Sequence, residues 1–166
     1  MILNRQHEVR VAMRPLESFL RRVKRELGLK QSDVTVCLVS DKAMARLNEN
    51  FRKKKGPTDV LSFPQGNSYS PLATRHSPLR RRKARKTANL GKQPRLENSG
   101  TIYLGDIAIS PATARRYARK NGRLLASELR VLILHGVLHL LGYDHETDRG
   151  EMDRVEQKLR NRFGVT

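Results

Sequence analysis

The stretch Val131-Leu132-Ile133-Leu134-His135-Gly136-Val137-Leu138-His139-Leu140-Leu141-Gly142-Tyr143-Asp144-His145 decides how the chain is read. Its apolar positions run almost all round a helix instead of along one stripe, which predicts a helix buried on nearly every side. His135 and His139 are four residues apart, so on that helix they lie one turn above the other on a single face. Two imidazoles placed so can reach one metal ion. Gly142 predicts the stop, since a glycine just past the last helical residue can take the left-handed conformation that turns the chain. Three residues later, His145 can swing back towards the first pair, which predicts a three-nitrogen site.

Three neutral imidazoles with a fourth position open to water is the pattern of a catalytic zinc, whereas a structural zinc is normally closed by a fourth protein ligand. The single cysteine, Cys37, stands in an apolar run and reads as a small core residue. The competing reading, hydrogen-bonded core histidines, must find partners for three titratable rings in apolar sequence. Zinc, one ion per chain, is expected first, although imidazole also suits nickel, copper and iron. The same spacing occurs in the metzincin proteases, which carry Glu directly after the first histidine as general base. This chain has Gly136 there, so a peptidase mechanism of that type lacks its base.

His135-Gly136-Val137-Leu138-His139-Leu140-Leu141-Gly142-Tyr143-Asp144-His145 resembles the signature of the YbeY family, metal-dependent endoribonucleases also described as rRNA maturation factors. Phe51-Arg52 followed by Gly56-Pro57-Thr58-Asp59-Val60-Leu61-Ser62-Phe63-Pro64 resembles that family's second motif, and Leu104-Gly105-Asp106-Ile107 its L-G-D-I strand. Order and spacing agree over most of the chain. The interval from about Gln65 to Ser99 departs from the family pattern, being longer and far more basic. The resemblance implies metal ligation by His135, His139 and His145, with His135 and Arg52 as catalytic residues. It implies a single-strand-specific, zinc-dependent endoribonuclease acting in rRNA processing (maturation of the 3′ end of 16S rRNA) and ribosome quality control, with the ribosome or ribosomal proteins as partners. From the residues alone Arg52 is one of many arginines. A guanidinium that grips a phosphate through two parallel hydrogen bonds and stabilises charge on phosphorus would have work to do beside the ion.

Composition bounds these readings. A chain of 166 residues with 37% apolar content suits a single domain over 1–166. No apolar run is long enough for a signal peptide or a membrane span, and one cysteine allows no internal disulfide, so a cytoplasmic, soluble protein is expected. The balance of 34 Lys+Arg against 16 Asp+Glu, +18 in all, predicts a polyanionic partner. Nucleic acid is favoured over a membrane surface, because no basic helix carries an aromatic-rich apolar face. Charge does not separate RNA from DNA.

Elsewhere the pattern predicts an α/β (α+β) domain, a small mixed sheet of about four strands covered by about five helices, with a zincin-like metal helix across one face. A strand is expected from Ile2 to about Val11, a helix over Pro15–Leu27 ended by Gly28, and a strand over Asp33–Val39. Ser40 or Asp41 caps a second helix with the apolar stripe Met44, Leu47, Phe51. Its basic end, Arg52-Lys53-Lys54-Lys55, reads either as helix-dipole chemistry or as phosphate contact. Gly56-Pro57-Thr58-Asp59 is a turn and Val60–Phe63 a short strand; Thr58, Asp59 and Ser62 either line a cleft or satisfy local backbone groups. From about 65 to 99 patterning disappears around Arg80-Arg81-Arg82-Lys83-Ala84-Arg85-Lys86, with no Asp or Glu between Asp59 and Glu97, and a mobile basic insertion is expected.

Gly100–Ile109 reads as a strand whose glycine marks a bulge or close approach. Asp106 is either a carboxylate orienting a ligating histidine or a surface residue. Ser110-Pro111 opens a helix to about Lys120, the metal helix runs from about Leu124 to Leu141, and a last helix buries Met152, Val155, Leu159 and Phe163. Asp144 or Glu146 is either a proton acceptor for bound water or cap chemistry. Three other functions stay open: a non-catalytic ribosome-associated RNA-binding factor with a structural metal, a zinc hydrolase of another substrate class, and a metal-independent nuclease, which would keep cutting after chelation.

Overall fold

A computed structural model of the chain describes residues 1–65, 101–144 and 148–165. Among the described residues the strands are β1 (Ile2–Asn4), β2 (Ser32–Leu38), β3 (Val60–Pro64) and β4 (Ile102–Ile109). The helices are α1 (Met13–Glu26), α2 (Asp41–Arg52), α3 (Pro111–Lys120), α4 (Leu125–Leu140) and α5 (Glu151–Phe163). The strands form one mixed sheet in the order β1-β2-β4-β3, with β1 and β4 parallel to β2 and β3 antiparallel to β4. This is the α/β architecture expected from the sequence. Apart from Gln65, whose N–H donates to Leu104 O at 2.9 Å, the basic insertion expected at about 65–99 lies outside the described residues.

The first strand is shorter than the expected Ile2–Val11. Buried Gln6 folds the chain back on itself: its Nε2 donates to Val9 O at 2.9 Å and its Oε1 accepts from Val9 N–H at 2.9 Å. Arg5 N–H still donates to Leu38 O of β2 at 2.8 Å, and beyond it those bonds replace a sheet ladder.

Helix α4 is the centre of the fold. Val131, Leu132, Ile133, Leu134, Val137, Leu138 and Leu140 are all buried, and the helix packs against β3, β4, α1, α3 and α5. Gly136 is where it crosses the sheet, since a Cβ there would stand 2.7 Å from Cγ2 and 2.9 Å from Cδ1 of Ile107. A glycine at this position therefore has a steric cause. A side chain at 136 would be driven into Ile107 of β4. The glycine of β4 also behaves as its position predicted. Gly105 takes φ +139°, the β2–β4 register shifts between Asp33 and Val34 opposite it, and a Cβ would meet Phe63 O at 2.2 Å.

Asp41 ties the starts of α2 and α3 together. Its carboxylate accepts from the hydroxyls of Ser110 and, at 2.7 Å, Thr113, and pairs with Arg116 at 2.8 Å. Burial pushes its carboxyl up, but these hydrogen bonds and the Arg116 charge outweigh that and hold it below the usual carboxylate range.

Candidate metal centre

The last turn of α4 closes as the sequence predicts. Gly142, at φ +89°, follows Leu141; its N–H donates to His139 O at 2.9 Å and the Tyr143 N–H donates to Leu138 O at 3.1 Å. This paired closure satisfies two of the helix's terminal carbonyls and redirects the chain. His145, the third expected ligand, lies outside the described residues, as does Glu146. Among the described residues no group of three His, Cys, Asp or Glu side chains is placed to hold a metal ion.

The described part of the expected triad is the α4 pair. His135 and His139 are both half-buried, their rings meet edge to face with centroids 4.6 Å apart, and their Nε2 atoms lie 3.1 Å apart. Two nitrogens bound tetrahedrally to one zinc at about 2.0–2.1 Å stand about 3.3 Å from each other. The pair therefore fits a shared ion with an adjustment of a few tenths of an ångström.

The partner that orients His135 comes from α5. His135 Nδ1 stands 2.9 Å from Oε2 of Glu156, a buried carboxylate whose Oε1 accepts from Arg160 Nε, also at 2.9 Å, and from its Nη2. A carboxylate facing Nδ1 holds the proton on that nitrogen, so in the neutral ring Nε2 presents its lone pair towards His139. Burial alone would raise the Glu156 carboxyl; the hydrogen bond and charge from His135, with those of Arg160, hold it below the usual range. Of the two readings of Asp106, the surface one matches the structure: it is exposed on β4 and accepts from the Tyr103 hydroxyl, and Glu156 is the carboxylate beside His135. One signal did point to Glu156. It falls on the buried face of α5 between Met152 and Leu159, with Arg160 one turn on, and a carboxylate in such a place needs partners.

His135 and His139 line a cleft of about 1080 Å³ between α4, the end of α2, β3 and the residues after α4. Arg52, Lys54, Arg123 and Arg160 line it too, so the structure brings Arg52 into the same cleft as the two histidines. The basic run at the end of α2 divides its labour. Lys53, at φ 56°, returns its ammonium to Asn50 O at 3.0 Å, which is helix-end chemistry, while Arg52 and Lys54 face the cleft.

Of Thr58, Asp59 and Ser62, all of which line the cleft, Asp59 is the one that also satisfies a local backbone group. Its Oδ1 accepts from Thr58 and from Val60 N–H at 2.9 Å, and the Ser62 hydroxyl reaches Gly136 O at 3.4 Å. Asn48, buried on α2, anchors this turn by donating to Gly56 O at 2.9 Å. Asp144 lines the cleft, and its carbonyl accepts from Asp148 N–H at 2.9 Å. Asp148 provides the cap at the start of α5, accepting from Gly150 N–H and Met152 N–H at 2.7 Å each.

Fold and site together define an α/β protein with two converging imidazoles on the wall of a cleft rich in cations. The family model described as Endoribonuclease YbeY matches residues 1–164, and the chain belongs to that family. Among its relatives, the endoribonuclease YbeY of Solibacter usitatus is 36% identical over 150 residues, 90% of this chain and 78% of the relative. That of Koribacter versatilis is 35% identical over 166 residues, 98% and 85% of the two chains. The solution structure of TM1509 from Thermotoga maritima, 24% identical, superposes with a TM-score of 0.56 over 95% of this chain and 85% of the other. That likeness is one of fold. Among the described residues no helix is long and apolar enough to cross a membrane.

Proposed function

We propose that this chain is a metal-dependent endoribonuclease that cuts single-stranded RNA, with one zinc ion held by His135, His139 and His145. The observation that carries the reading is the 3.1 Å approach of the two Nε2 atoms on the wall of the cleft that also holds Arg52. When bound, the ion supplies Lewis-acid activation of a water at neutral pH. The chain's own groups do the rest. Glu156 holds the Nδ1 proton of His135 and so aims its Nε2 into the cleft. Arg52 and Lys54 draw in the backbone phosphate, and the Arg52 guanidinium stabilises negative charge as it grows on the phosphoryl oxygens. Asp144 accepts the proton released by the attacking water.

Family membership supports ribosomal RNA as substrate, including 3′-end maturation of 16S rRNA and a part in ribosome quality control. It supports ribosomal proteins as partners and a cytoplasmic site of action in the same way. A peptidase reading is disfavoured because position 136, where a metzincin carries its base, abuts Ile107 in the sheet. The +18 charge points in the same direction.

His139→Ala tests the proposal against a non-catalytic RNA-binding factor with a structural metal. A nuclease keeps RNA binding and its thermal midpoint near the parent's while cleavage falls to background. Joint loss of fold stability and RNA binding would instead identify the structural metal.

A further inference from the structure

Phe51 is out of place for a residue on an apolar helix stripe. The 44, 47, 51 spacing puts it on the face that buries Met44 completely, yet Phe51 is 64% exposed. It sits in the last turn of α2, beside Arg52, and lines the cleft that holds His135, His139 and Lys54. Its ring is held in place from one side, packed edge to face on Phe63 of β3 with centroids 4.9 Å apart at 71°. A fixed aromatic face left open at the mouth of a cationic cleft is costly as core chemistry, because burial of a phenyl ring is strongly favourable in water. It suits a flat apolar ligand that arrives attached to negative charge.

We infer that Phe51, supported by Phe63, is a stacking platform for an unpaired nucleobase of the strand whose phosphates meet Arg52 and Lys54. The inference rests on the reading of the substrate as RNA and adds a contact to its bases. Stacking on an aromatic ring is tolerant of base identity, because every base has a π-face, and it requires the base to be out of a duplex. Selection of single strands then comes from a ring that paired, stacked bases do not reach. The cationic side chains supply affinity that falls with salt, whereas the stacking contribution persists as salt rises.

The chain contains no tryptophan, so Phe51→Trp places a single fluorescent reporter on the platform. The full-length variant is titrated in EDTA, where binding is read without cleavage, with a single-stranded oligoribonucleotide, with the same sequence as a duplex, and with an abasic strand of equal length. The expected result is saturable quenching by the single strand and little by the other two. Phe51→Ala should bind the single strand roughly 5- to 150-fold more weakly, the range for loss of one stacked base. Phe51→Leu, apolar but without a π-face, should behave like the alanine variant. Equal quenching by the abasic strand, or unchanged affinity in both substitutions at unchanged thermal midpoint, would overturn the inference. Cleavage by the metal-loaded parent separates the two readings. Cutting without quenching removes the platform and leaves the nuclease, whereas quenching without cutting does the reverse.

Discussion

Replacing Gly136 with alanine tests the way α4 is seated on the sheet. The added Cβ would lie 2.7, 2.9 and 3.1 Å from Cγ2, Cδ1 and Cγ1 of Ile107, where non-bonded carbons rest at about 3.5–4.0 Å. Something must move by roughly 1 Å at the closest of these contacts. Ile107 has no exposure, is branched at Cβ and stands in β4 between β2 and β3, so it has little room to retreat. Such overpacking costs about 1–3 kcal/mol. Alanine returns about 1 kcal/mol of helix propensity relative to glycine. The expected net loss is therefore about 1 kcal/mol, or a thermal midpoint about 2–4 °C lower for a domain of this size.

Urea unfolding followed by far-UV circular dichroism, on Gly136→Ala, Ile107→Ala and the double variant, isolates the contact. Ile107→Ala removes all three offending atoms and by itself costs about 2–5 kcal/mol. In that background Gly136→Ala should be neutral or stabilising by up to about 1 kcal/mol, a coupling of about 1–2 kcal/mol between the sites. If Gly136→Ala stabilises the otherwise unaltered protein, the close approach of α4 to β4 is wrong and so is the steric explanation of this glycine.

Two further outcomes follow from side chains that hold the frame. Glu156→Gln keeps the shape beside His135 but not the charge, and zinc affinity measured by competition with a chromophoric chelator should fall about 10- to 100-fold with the circular dichroism spectrum unchanged; unaltered affinity would remove Glu156 from the centre. Because the folded Asp41 carboxyl is held below its usual range, its contribution to stability is present above about pH 4, the ordinary aspartate value, and is lost as pH falls through the lower folded value. Asp41→Asn should therefore cost about 1–3 kcal/mol near neutrality, and the gap from the parent should narrow in urea titrations as the buffer is made more acid. A gap that widens towards acid would contradict that network.

Local patterns were legible wherever one element's own geometry decided the outcome. Leu16, Phe19, Leu20 and Val23 gave α1 by helical spacing and are all buried. Gly142 and Gly105 announced a helix stop and a strand irregularity that both occur. Contacts made across elements were not legible. Glu156 reaches His135 from 21 residues further along the chain, and no local period announces the neighbour. Phe51 follows the helical stripe faithfully, but α2 ends at Arg52, where the helix overhangs the cleft, so periodicity alone misplaces it in the core. The short β1 fails for a different reason, since a buried glutamine side chain took over hydrogen bonds that an extended strand would have made.

The most direct test of the central claim is cleavage of a labelled single-stranded RNA by full-length protein before and after chelation, with zinc determined on the same samples. The account predicts about one zinc per chain, loss of cutting in step with loss of the ion, and recovery when zinc is restored. Cutting that survives complete removal of the metal, or a protein that takes up no zinc, would contradict it.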